Sequence, residues 1–247
     1  MINRFRNILL TLKNAPLCDW RISRDYCPLC CRKTFFISFT RTALGTRCLS
    51  CANTCINLSL IPVIRSVLPI GYAYEMSSYG GTLDFLKQHV PKIEISEFYP
   101  NIKLGSIFRG VRIEDVQMLT FDCDKFDLVT SNQVMEHVPD DIAGFKEIFR
   151  VLKPRGYFIF SVPLYDYEVT IQRAVLIDGS IKHLKEPEYH GSRLEGPNSV
   201  LTFWNHSFND IVNRLSKAGF VSQIVEVSIT PSQGESYKVL KCQKPKV

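Results

Sequence analysis

The feature that most constrains this sequence is an alternation of short apolar runs with amphipathic segments, which begins at residue 71. Five of these runs have the length and the β-branched and aromatic content of strands, and they span 72–76, 92–98, 110–116, 126–131 and 157–163. Between them, segments 81–90 and 139–156 repeat apolar residues at helical spacing. Strands that alternate with helices predict an α/β fold with a mainly parallel, doubly wound sheet, in which ligands bind at the carboxyl ends of the strands.

The last third of the chain adds one helix and two strands to this pattern. Apolar residues recur at helical spacing over 207–220, and two further apolar runs, 221–229 and 237–244, are joined by a short connection. A connection this short favours antiparallel pairing, which brings the expected sheet to seven strands. The segment 164–204 shows no clear period, and we expect it to form an insert that covers the substrate.

Four cysteines near the N-terminus have the spacing of a metal site. Cys27-x-x-Cys30 is followed, after a gap of seventeen residues, by Cys48-x-x-Cys51. Two residues between ligands let both sulfurs of a pair point at one ion, so the spacing predicts a structural zinc ion held by four thiolates in a ribbon-like module. A disulfide framework and buried free thiols are the alternatives, and the lack of a secretory signal argues against disulfides.

The other cysteines leave the ligand set open at two positions. Cys31 and Cys55 lie close enough in sequence to the two pairs to replace one of the four ligands. The remaining three are expected to be ordinary buried cysteines, and they are Cys18, Cys123 and Cys242. The segment 31–47 between the two pairs carries the aromatic and β-branched residues of a hairpin, as a zinc ribbon requires.

The net charge of +6 is concentrated at the N-terminal end. Residues 1–70 hold ten Lys or Arg and two acids, which gives +8, whereas residues 71–247 hold twenty Lys or Arg and twenty-two acids. We therefore expect a small basic domain over 1–70 and a larger domain over 71–247. The basic domain could bind an anionic partner such as RNA, a phosphorylated glycan or a membrane surface, or could simply present a solvated basic face.

The first residues of the chain are amphipathic. The pattern predicts a helix that places apolar side chains beside basic ones, namely Phe5, Ile8, Leu9 and Leu12 beside Arg4, Arg6 and Lys13. Such a helix would touch an anionic membrane surface weakly. No apolar run is long enough to span a bilayer, and the basic start lacks the apolar core of a signal peptide, so we expect a cytoplasmic protein.

The central part of the chain resembles a known family. Residues 126–163 read FDLVTSNQVMEHVPDDIAGFKEIFRVLKPRGYFIFSVP, and they are similar to the class I S-adenosylmethionine-dependent methyltransferases of the type 11 branch. The shared features are a buried strand, a Glu-His-Val sequence before a helix, an Arg-Val-Leu-Lys-Pro turn, and a further strand that ends in proline. The likeness covers residues 70–163 and extends to residue 242. It implies a Rossmann-like methyltransferase fold, S-adenosylmethionine as cofactor, and methyltransferase activity.

The resemblance also implies which residues contact the cofactor. Glu75 ends the first strand, where the family's acid faces the methionine ammonium, and Glu97 ends the second, where a carboxylate accepts both ribose hydroxyls. Asp115 stands where an acid accepts from the adenine amino group, with the backbone N–H of Val116 directed at the ring. Asn132 and Gln133 follow the fourth strand and would line the floor near the sulfonium.

The loop after the first strand departs from the family pattern. Where the family has three glycines at alternate positions, this chain has Ser77, Tyr79 and Gly81. Glycine is used there because the backbone comes close to the ligand. Two interpretations follow: the loop takes a different route and binds the cofactor through Ser77 and Gly81, with Gly80 supplying flexibility, or it has lost the site.

Two histidines are candidates for the removal of a proton from the methyl acceptor. His137 follows the fourth strand, and His190 lies in the 164–204 insert beside Glu188 and Tyr189. A buried structural histidine is the alternative for His137. Two further residues, Trp204 and His206, could join the acceptor site or simply pack on the sheet.

The acceptor itself is not identified by the sequence. The insert favours a small molecule or a glycan over RNA, although the basic residues 1–70 suit RNA phosphates. A second class of function stays open, in which an inactive methyltransferase-like scaffold carries a zinc ribbon that binds RNA or a protein partner. Retention of the three acids favours cofactor binding, whereas the lost glycines argue against it.

Overall fold

The computed structural model describes residues 20–39, 45–192, 196–229 and 236–246. The strands within them are β1 Arg21–Cys27, β2 Arg32–Ser38, β3 Thr46–Cys48, β4 Tyr72–Glu75, β5 Lys92–Glu97, β6 Ile107–Phe108, β7 Val111–Ile113, β8 Phe126–Asn132, β9 Leu152–Ser161, β10 Leu164–Tyr165, β11 Ile171–Gln172, β12 Ala174–Ile177, β13 Ser180–His183, β14 Tyr189–Ser192, β15 Gly196–Leu201, β16 Trp204–Ser207, β17 Val221–Val227 and β18 Tyr237–Gln243. The helices are α1 Cys55–Arg65, α2 Gly81–His89, α3 Asp141–Val151 and α4 Ile211–Ser216, with a 3₁₀ turn at Met135–His137. The predicted N-terminal amphipathic helix and Cys18 lie outside the described residues.

The chain divides into two compact units. The first comprises the described residues up to Ile70 together with Tyr79–Pro91 and the described part of 225–239. The second comprises Gly71–Ser78, Lys92–Ile224 and the residues from Leu240 onward. The domain boundary expected at residue 70 stays a prediction, as does the substrate-covering role of 164–204.

The first unit is built on a small antiparallel sheet followed by a helix. Strands β1, β2 and β3 pair in that order, and the inward face of β2 is closed by the buried ring of Phe36. Thr54 caps the start of helix α1: its side chain accepts a hydrogen bond from the backbone N–H of Asn57, and so satisfies one of the first unpaired amides of the helix. Apolar side chains on α1 are buried at Leu58, Leu60, Ile61 and Ile64.

The large sheet confirms the expected doubly wound α/β architecture. Its strand order is β17-β18-β9-β8-β4-β5-β7-β6, with parallel pairing throughout the run from β9 to β7. The chain moves outward from β4 through β5 to β7 and then returns to place β8 on the other side of β4. This reversal is a topological switch point, where the carboxyl ends of the strands leave a crevice for a ligand.

The sequence of β8 is almost continuously apolar because the strand lies in the core of the second unit. Strand β8 lies between β4 and β9, so its residues Leu128 and Val129 are fully buried. On β9, Phe158 and Phe160 lie two residues apart on one face, and their rings stack with centroids 4.3 Å apart. Phe145 of α3 packs against both rings, which joins the helix to the sheet.

Several element boundaries differ from the sequence-based expectation. The sheet has eight strands instead of seven because the two-residue strand β6 pairs antiparallel with β7 at the edge. The helix expected over 139–156 ends at Val151, and β9 begins at Leu152 with an irregularity before regular pairing resumes at Tyr157. The segment 164–204, which lacked a clear period, forms short paired strands from β10 to β15. Cys123, expected to be buried, is exposed because it lies in the loop before β8.

Within the part of the chain that the structure describes, no helix has both the length and the apolar character needed to cross a membrane.

Candidate functional site

Three acidic residues lie at the carboxyl ends of neighbouring strands in the second unit. Glu75 is the last residue of β4, Glu97 is the last residue of β5, and Asp115 follows β7 by two positions. Since β4 pairs with β5, and β5 with β7, these side chains share one edge of the sheet. The sequence placed all three at strand ends, and the parallel pairing brings those ends together.

Glu75 is a buried carboxyl group with an altered acidity. Its side chain is almost completely enclosed and accepts a hydrogen bond from the hydroxyl of Thr130 on β8. Burial raises the pKa of Glu75 to about 8, and the charge of Glu97 adds to this rise, whereas the Thr130 hydrogen bond opposes it. A positive charge next to Glu75 would reverse this effect and stabilise the ionised form.

The loop after β4 is fastened to Glu97. The Oε1 atom of Glu97 accepts a hydrogen bond from the backbone N–H of Ser78 at 2.7 Å and another from its hydroxyl at 2.6 Å. Ser78 was not among the candidate site residues, because nothing in the local sequence indicates that its partner lies nineteen positions away. Its neighbour Ser77 is half-buried and belongs to the same unit.

Asp115 is held by a local turn. Its Oδ1 atom accepts from the backbone N–H of Gln117 at 2.9 Å and from the Gln117 side-chain amide at 3.1 Å. This arrangement fixes the orientation of the Asp115 carboxylate at the end of β7. Val116, between them, is half-buried and packs against the apolar core of the second unit.

Asn132 and Gln133 join the ends of β8 and β9. The Asn132 side-chain oxygen accepts a hydrogen bond from the Ser161 hydroxyl at 2.7 Å. The backbone N–H of Gln133 donates to the Ser161 carbonyl at 2.9 Å, and Gln133 adopts a left-handed conformation with φ of 58°. The two polar side chains therefore lie at the carboxyl end of β8, in the position expected for them.

Gly81 has a packing reason for being glycine. It begins α2 in the first unit, and a Cβ atom there would lie 2.9 Å from the backbone oxygen of Asn57 on α1. A methyl group at that distance would collide with backbone, so the two helices require glycine independently of any ligand. Gly80, one position earlier, has a φ of 108° and supplies the turn that precedes α2.

The two candidate histidines meet in the second unit. The rings of His137 and His190 are T-shaped with centroids 4.9 Å apart, although 53 positions separate the residues. The Nδ1 atom of His137 lies 2.9 Å from the carbonyl oxygen of Leu201, and burial lowers the pKa of His137 to about 4. A third group, Glu136, is buried beside them, and burial raises the pKa of its carboxyl to about 8. Sequence reasoning passed over Glu136, although it stands in the Glu-His-Val motif.

His206 and Trp204 do not join this histidine pair through any contact that the structure records. His206 is buried, and its Nε2 atom lies 3.0 Å from Oδ2 of Asp141, which also receives hydrogen bonds from Arg214. The Trp204 indole N–H donates to the carbonyl of Val138 at 2.8 Å. These contacts anchor the start of α3. A cleft beside them is lined by residues that include Gln117, Gln172, Val175, Leu176, Trp204 and Arg214.

The four predicted cysteine ligands come together in the first unit. The Sγ atoms of Cys27, Cys30, Cys48 and Cys51 all lie within 4.8 Å of one another. Hydrogen bonds from the Cys27 and Cys51 thiols lower the pKa of the Cys48 thiol below its usual value. Cys31 is exposed and turns its sulfur toward the carbonyl of Pro28, so it does not belong to the cluster.

The spacing of the sulfurs fits a tetrahedral zinc ion. Sulfurs bound at ~2.3 Å to a tetrahedral ion lie about 3.8 Å apart. The Cys27–Cys51 sulfurs are 3.8 Å apart and the Cys30–Cys48 sulfurs 3.9 Å apart. In addition, the backbone N–H of Cys30 points at the Cys27 sulfur at 3.5 Å, as expected for a tight turn around a metal. These separations are far longer than a disulfide bond, which excludes the disulfide alternative for these pairs.

Comparison with known proteins gives a match to one family. Residues 85–160 match the family model described as a methyltransferase domain. A ubiquinone biosynthesis O-methyltransferase of Coxiella burnetii (strain Dugway 5J108-111) is 38% identical over 48 residues, which are 19% of this chain and 20% of that protein. The chain therefore matches about a fifth of the length of the curated relatives to which it is similar.

Solved structures give more extensive but more distant matches. An S-adenosylmethionine dependent methyltransferase from Mesorhizobium loti is 15% identical, covers 75% of this chain and 96% of its own, and has a TM-score of 0.48. The 1,6-didemethyltoxoflavin-N1-methyltransferase of Burkholderia thailandensis, solved with bound S-adenosylhomocysteine, is 16% identical, covers 77% of each chain, and has a TM-score of 0.48.

Proposed function

We propose that the protein is an S-adenosylmethionine-dependent methyltransferase, in keeping with the match of residues 85–160 to the methyltransferase-domain family model. The observation that carries the proposal is the set of acids at the edge of the sheet, where Glu75, Glu97 and Asp115 follow neighbouring strands at the switch point. S-adenosylmethionine has an ammonium group, a ribose and an adenine, and each of the three acids could bind one of these groups.

The chemistry of each acid matches one part of the cofactor. Glu97 already accepts two hydrogen bonds from Ser78, and two ribose hydroxyls are donors of the same kind. Glu75 is buried with its pKa raised to about 8, so the methionine ammonium would supply the positive charge that this carboxyl lacks. Asp115, oriented by Gln117, would accept from the adenine amino group, with the Val116 N–H directed at the ring.

The glycine-poor loop is compatible with this role. Ser78, which lies between two of the positions where the family has glycine, donates both a backbone and a side-chain hydrogen bond to Glu97. We propose that these two bonds hold the loop in place before the cofactor arrives, and that the ribose hydroxyls replace them on binding. On this account Gly81 is retained for the packing of α1 and α2, and Ser77 passes the cofactor at the carboxyl end of β4.

The methyl acceptor is proposed to bind next to the histidine pair. S-adenosylmethionine supplies a methyl group on a sulfonium, and this chain's own residues must orient the acceptor and take its proton. His137 follows Gln133 by four positions in the chain. His190, which belongs to the 164–204 segment, contacts the ring of His137. A small molecule or a glycan is favoured over RNA, and the matched curated relative, named as an O-methyltransferase, supports a hydroxyl acceptor.

The test is a calorimetric titration of S-adenosylmethionine and S-adenosylhomocysteine into the zinc-loaded protein. Loss of hydrogen bonds to a charged group costs about 1.5–3 kcal/mol each, so Glu97→Gln should weaken binding at least tenfold. Glu94→Gln is the matched control, because Glu94 lies on the same strand but bonds to the Tyr72 hydroxyl instead. Failure of the wild-type protein to bind either ligand would reject the proposal.

The four-cysteine cluster is proposed to hold a structural zinc ion. Four thiolates complete a tetrahedral shell and leave no open position for water or substrate, so the ion would stabilise the β1–β3 region and take no part in methyl transfer. That region is too small to be stabilised by apolar burial alone, which gives the ion a reason to be present.

A second candidate function rests on the outer face of the β1–β2 pair. Tyr26 and Phe35 are each 53% exposed there, opposite Lys33 and Arg24 in the strand register. Exposed aromatic rings interleaved with cations suit the bases and phosphates of single-stranded RNA. On this interpretation the first unit binds RNA, either to deliver it as the acceptor or as the sole function of an inactive scaffold.

The RNA candidate has its own experiment. Binding of a fluorescent single-stranded RNA to the full chain should weaken with rising salt, and Tyr26→Ala with Phe35→Ala should reduce it at least tenfold. Val221→Ala is a control, since Val221 is also an exposed apolar residue on a strand outside this face. Binding that is equal in both variants would remove this candidate and leave the small-molecule acceptor.

A further inference from the structure

Three metal-ligating side chains converge outside the cofactor residues. The Oε1 atom of Glu136 lies 3.7 Å from Nε2 of His137 and 3.8 Å from Nδ1 of His190. Ligand atoms of the three residues all lie within 4.8 Å of one another. Glu136 is 1% exposed, and among the described residues neither of its carboxylate oxygens has a hydrogen-bond partner. A buried carboxylate without a partner is rare in folded proteins and requires an explanation.

In each histidine, the ring nitrogen that faces away from Glu136 already has a polar partner. The Nδ1 atom of His137 lies 2.9 Å from the Leu201 carbonyl oxygen, which can only accept, so Nδ1 carries the proton. The Nε2 atom of His190 lies 3.3 Å from Glu188, whose other oxygen lies 3.3 Å from Arg173. Each histidine therefore turns its second ring nitrogen toward Glu136, namely Nε2 of His137 and Nδ1 of His190. In metal sites, the ring nitrogen of a histidine that does not bind the metal usually donates its N–H to a carbonyl or carboxylate oxygen, as the Leu201 carbonyl and the Glu188 carboxylate allow here.

Each of the three inward-facing atoms can offer an electron pair to an ion. At 3.7 Å and 3.8 Å the Glu136 oxygen is too far from the two histidine nitrogens for direct hydrogen bonds. Two ligands bound at ~2.1 Å to one ion lie about 3.0–4.2 Å apart, depending on the angle between them. The observed separations fall in this range, so a shared cation satisfies all three atoms at once.

We propose that Glu136, His137 and His190 form a binding site for a divalent transition-metal ion, distinct from the four-cysteine cluster. Two imidazoles and one carboxylate favour ions such as Zn²⁺, Mn²⁺, Fe²⁺ or Co²⁺ over Mg²⁺ and Ca²⁺, which prefer oxygen ligands alone. Three protein ligands leave at least one coordination position open. The open position gives the site a place for an acceptor oxygen.

This placement specifies the acceptor class, an inference that rests on the proposed methyltransferase function. An ion at this site would lower the pKa of a coordinated hydroxyl, whose proton passes to water. The oxygen's electron pair then forms the bond to the methyl carbon, and the carbon–sulfur bond breaks with its pair remaining on sulfur. The products are a methyl ether, S-adenosylhomocysteine and one proton. The geometry therefore favours O-methylation of a hydroxyl-bearing acceptor.

The test is a titration of Co²⁺ into the full chain with its cysteine site filled by zinc, followed by visible absorption. Cobalt held by nitrogen and oxygen ligands gives d–d bands, whereas cobalt that displaced zinc from the cysteines would add thiolate-to-metal charge-transfer absorption. We expect d–d bands alone, with one Co²⁺ per chain. The near-isosteric change Glu136→Gln and the change His190→Ala should each weaken Co²⁺ binding at least tenfold. His183→Ala is the matched control, because His183 is an exposed histidine on β13 in the same segment.

The outcomes separate this inference from the proposed function. No cobalt bands, or bands of equal strength in Glu136→Gln, would overturn the metal site and leave a bridging water as the explanation for the three groups. Calorimetric titration of S-adenosylhomocysteine into the same samples reports on the cofactor site independently. Cobalt binding without cofactor binding would reject the methyltransferase proposal and retain the metal site. Cofactor binding without cobalt binding would retain the methyltransferase proposal and reject the metal site.

Discussion

The ion pair at the start of α3 makes the sharpest prediction about stability. Asp141 has no exposed side-chain surface, and its carboxylate accepts hydrogen bonds from His206 and Arg214, the second of which is 14% exposed. Asp141→Asn keeps the size of the side chain but removes its charge, so the guanidinium is left partly buried without a counter-charge. Breaking a buried pair costs about 3–5 kcal/mol, and the partial exposure of Arg214 places the expected value near ~3 kcal/mol.

A loss of this size is easy to measure by thermal unfolding. One kcal/mol corresponds to roughly 2–4 °C for a chain of this length, so Asp141→Asn should lower Tm by roughly 6–12 °C. Asp140→Asn is the matched control, because Asp140 caps α3 through the Ala143 N–H and asparagine caps equally well. The control should change Tm by about 2 °C or less.

The pH dependence of this difference gives a second check. Burial alone would raise the pKa of Asp141, but the hydrogen bonds from His206 and Arg214 outweigh it and hold the pKa below its usual value. Because the pKa of Asp141 is lower in the folded state than in the unfolded state, the ionised carboxylate stabilises the fold at pH values above the unfolded-state pKa of ~3.9. This stabilisation is lost as the pH falls through the folded-state pKa. The gap between wild type and Asp141→Asn should therefore close in acid. Equal Tm values at pH 7, or a gap that does not narrow as the pH falls below about 3.9, would refute this reasoning.

Three further predictions concern the metal, the cofactor and the acceptor. The purified protein should contain one tightly bound zinc per chain, lost in Cys48→Ser but kept in Cys31→Ser when metal is measured by emission spectrometry. Affinity for S-adenosylmethionine should rise about tenfold from pH 6 to pH 7, because Glu75, with a pKa of about 8, must lose a proton on binding; Glu75→Gln should flatten this dependence in calorimetry. His190→Ala should reduce turnover while cofactor affinity stays unchanged, and unchanged turnover would remove His190 from the acceptor site.

The positions of the three acids were predictable because each depends on local sequence. An apolar run that ends in an acid marks the carboxyl end of a strand, and parallel pairing places such ends together. The same local logic located the cysteine pairs, since a two-residue spacing forms one turn wherever it occurs. The positions of these residues could therefore be predicted without knowing which distant residues they contact.

The features that the sequence did not reveal depend on contacts between distant segments. Ser78 contacts Glu97 only because the loop after β4 folds back onto the end of β5. Glu136 meets His190 only because the paired strands β14 and β15 bring His190 to the 3₁₀ turn after β8. His206, a candidate for the acceptor site, pairs instead with Asp141, because β16 runs beside the start of α3. Local periodicity carries no information about such pairings.

We propose that S-adenosylmethionine binds across the ends of β4, β5 and β7, and a crystal structure of the zinc-loaded protein with S-adenosylhomocysteine would decide this. We expect the ribose hydroxyls within about 3 Å of the Glu97 carboxylate, with the Ser78 bonds to Glu97 broken, and the adenine beside Asp115 and Val116. A ligand bound elsewhere, or a Ser78–Glu97 contact that persists in crystals grown at saturating ligand, would contradict it.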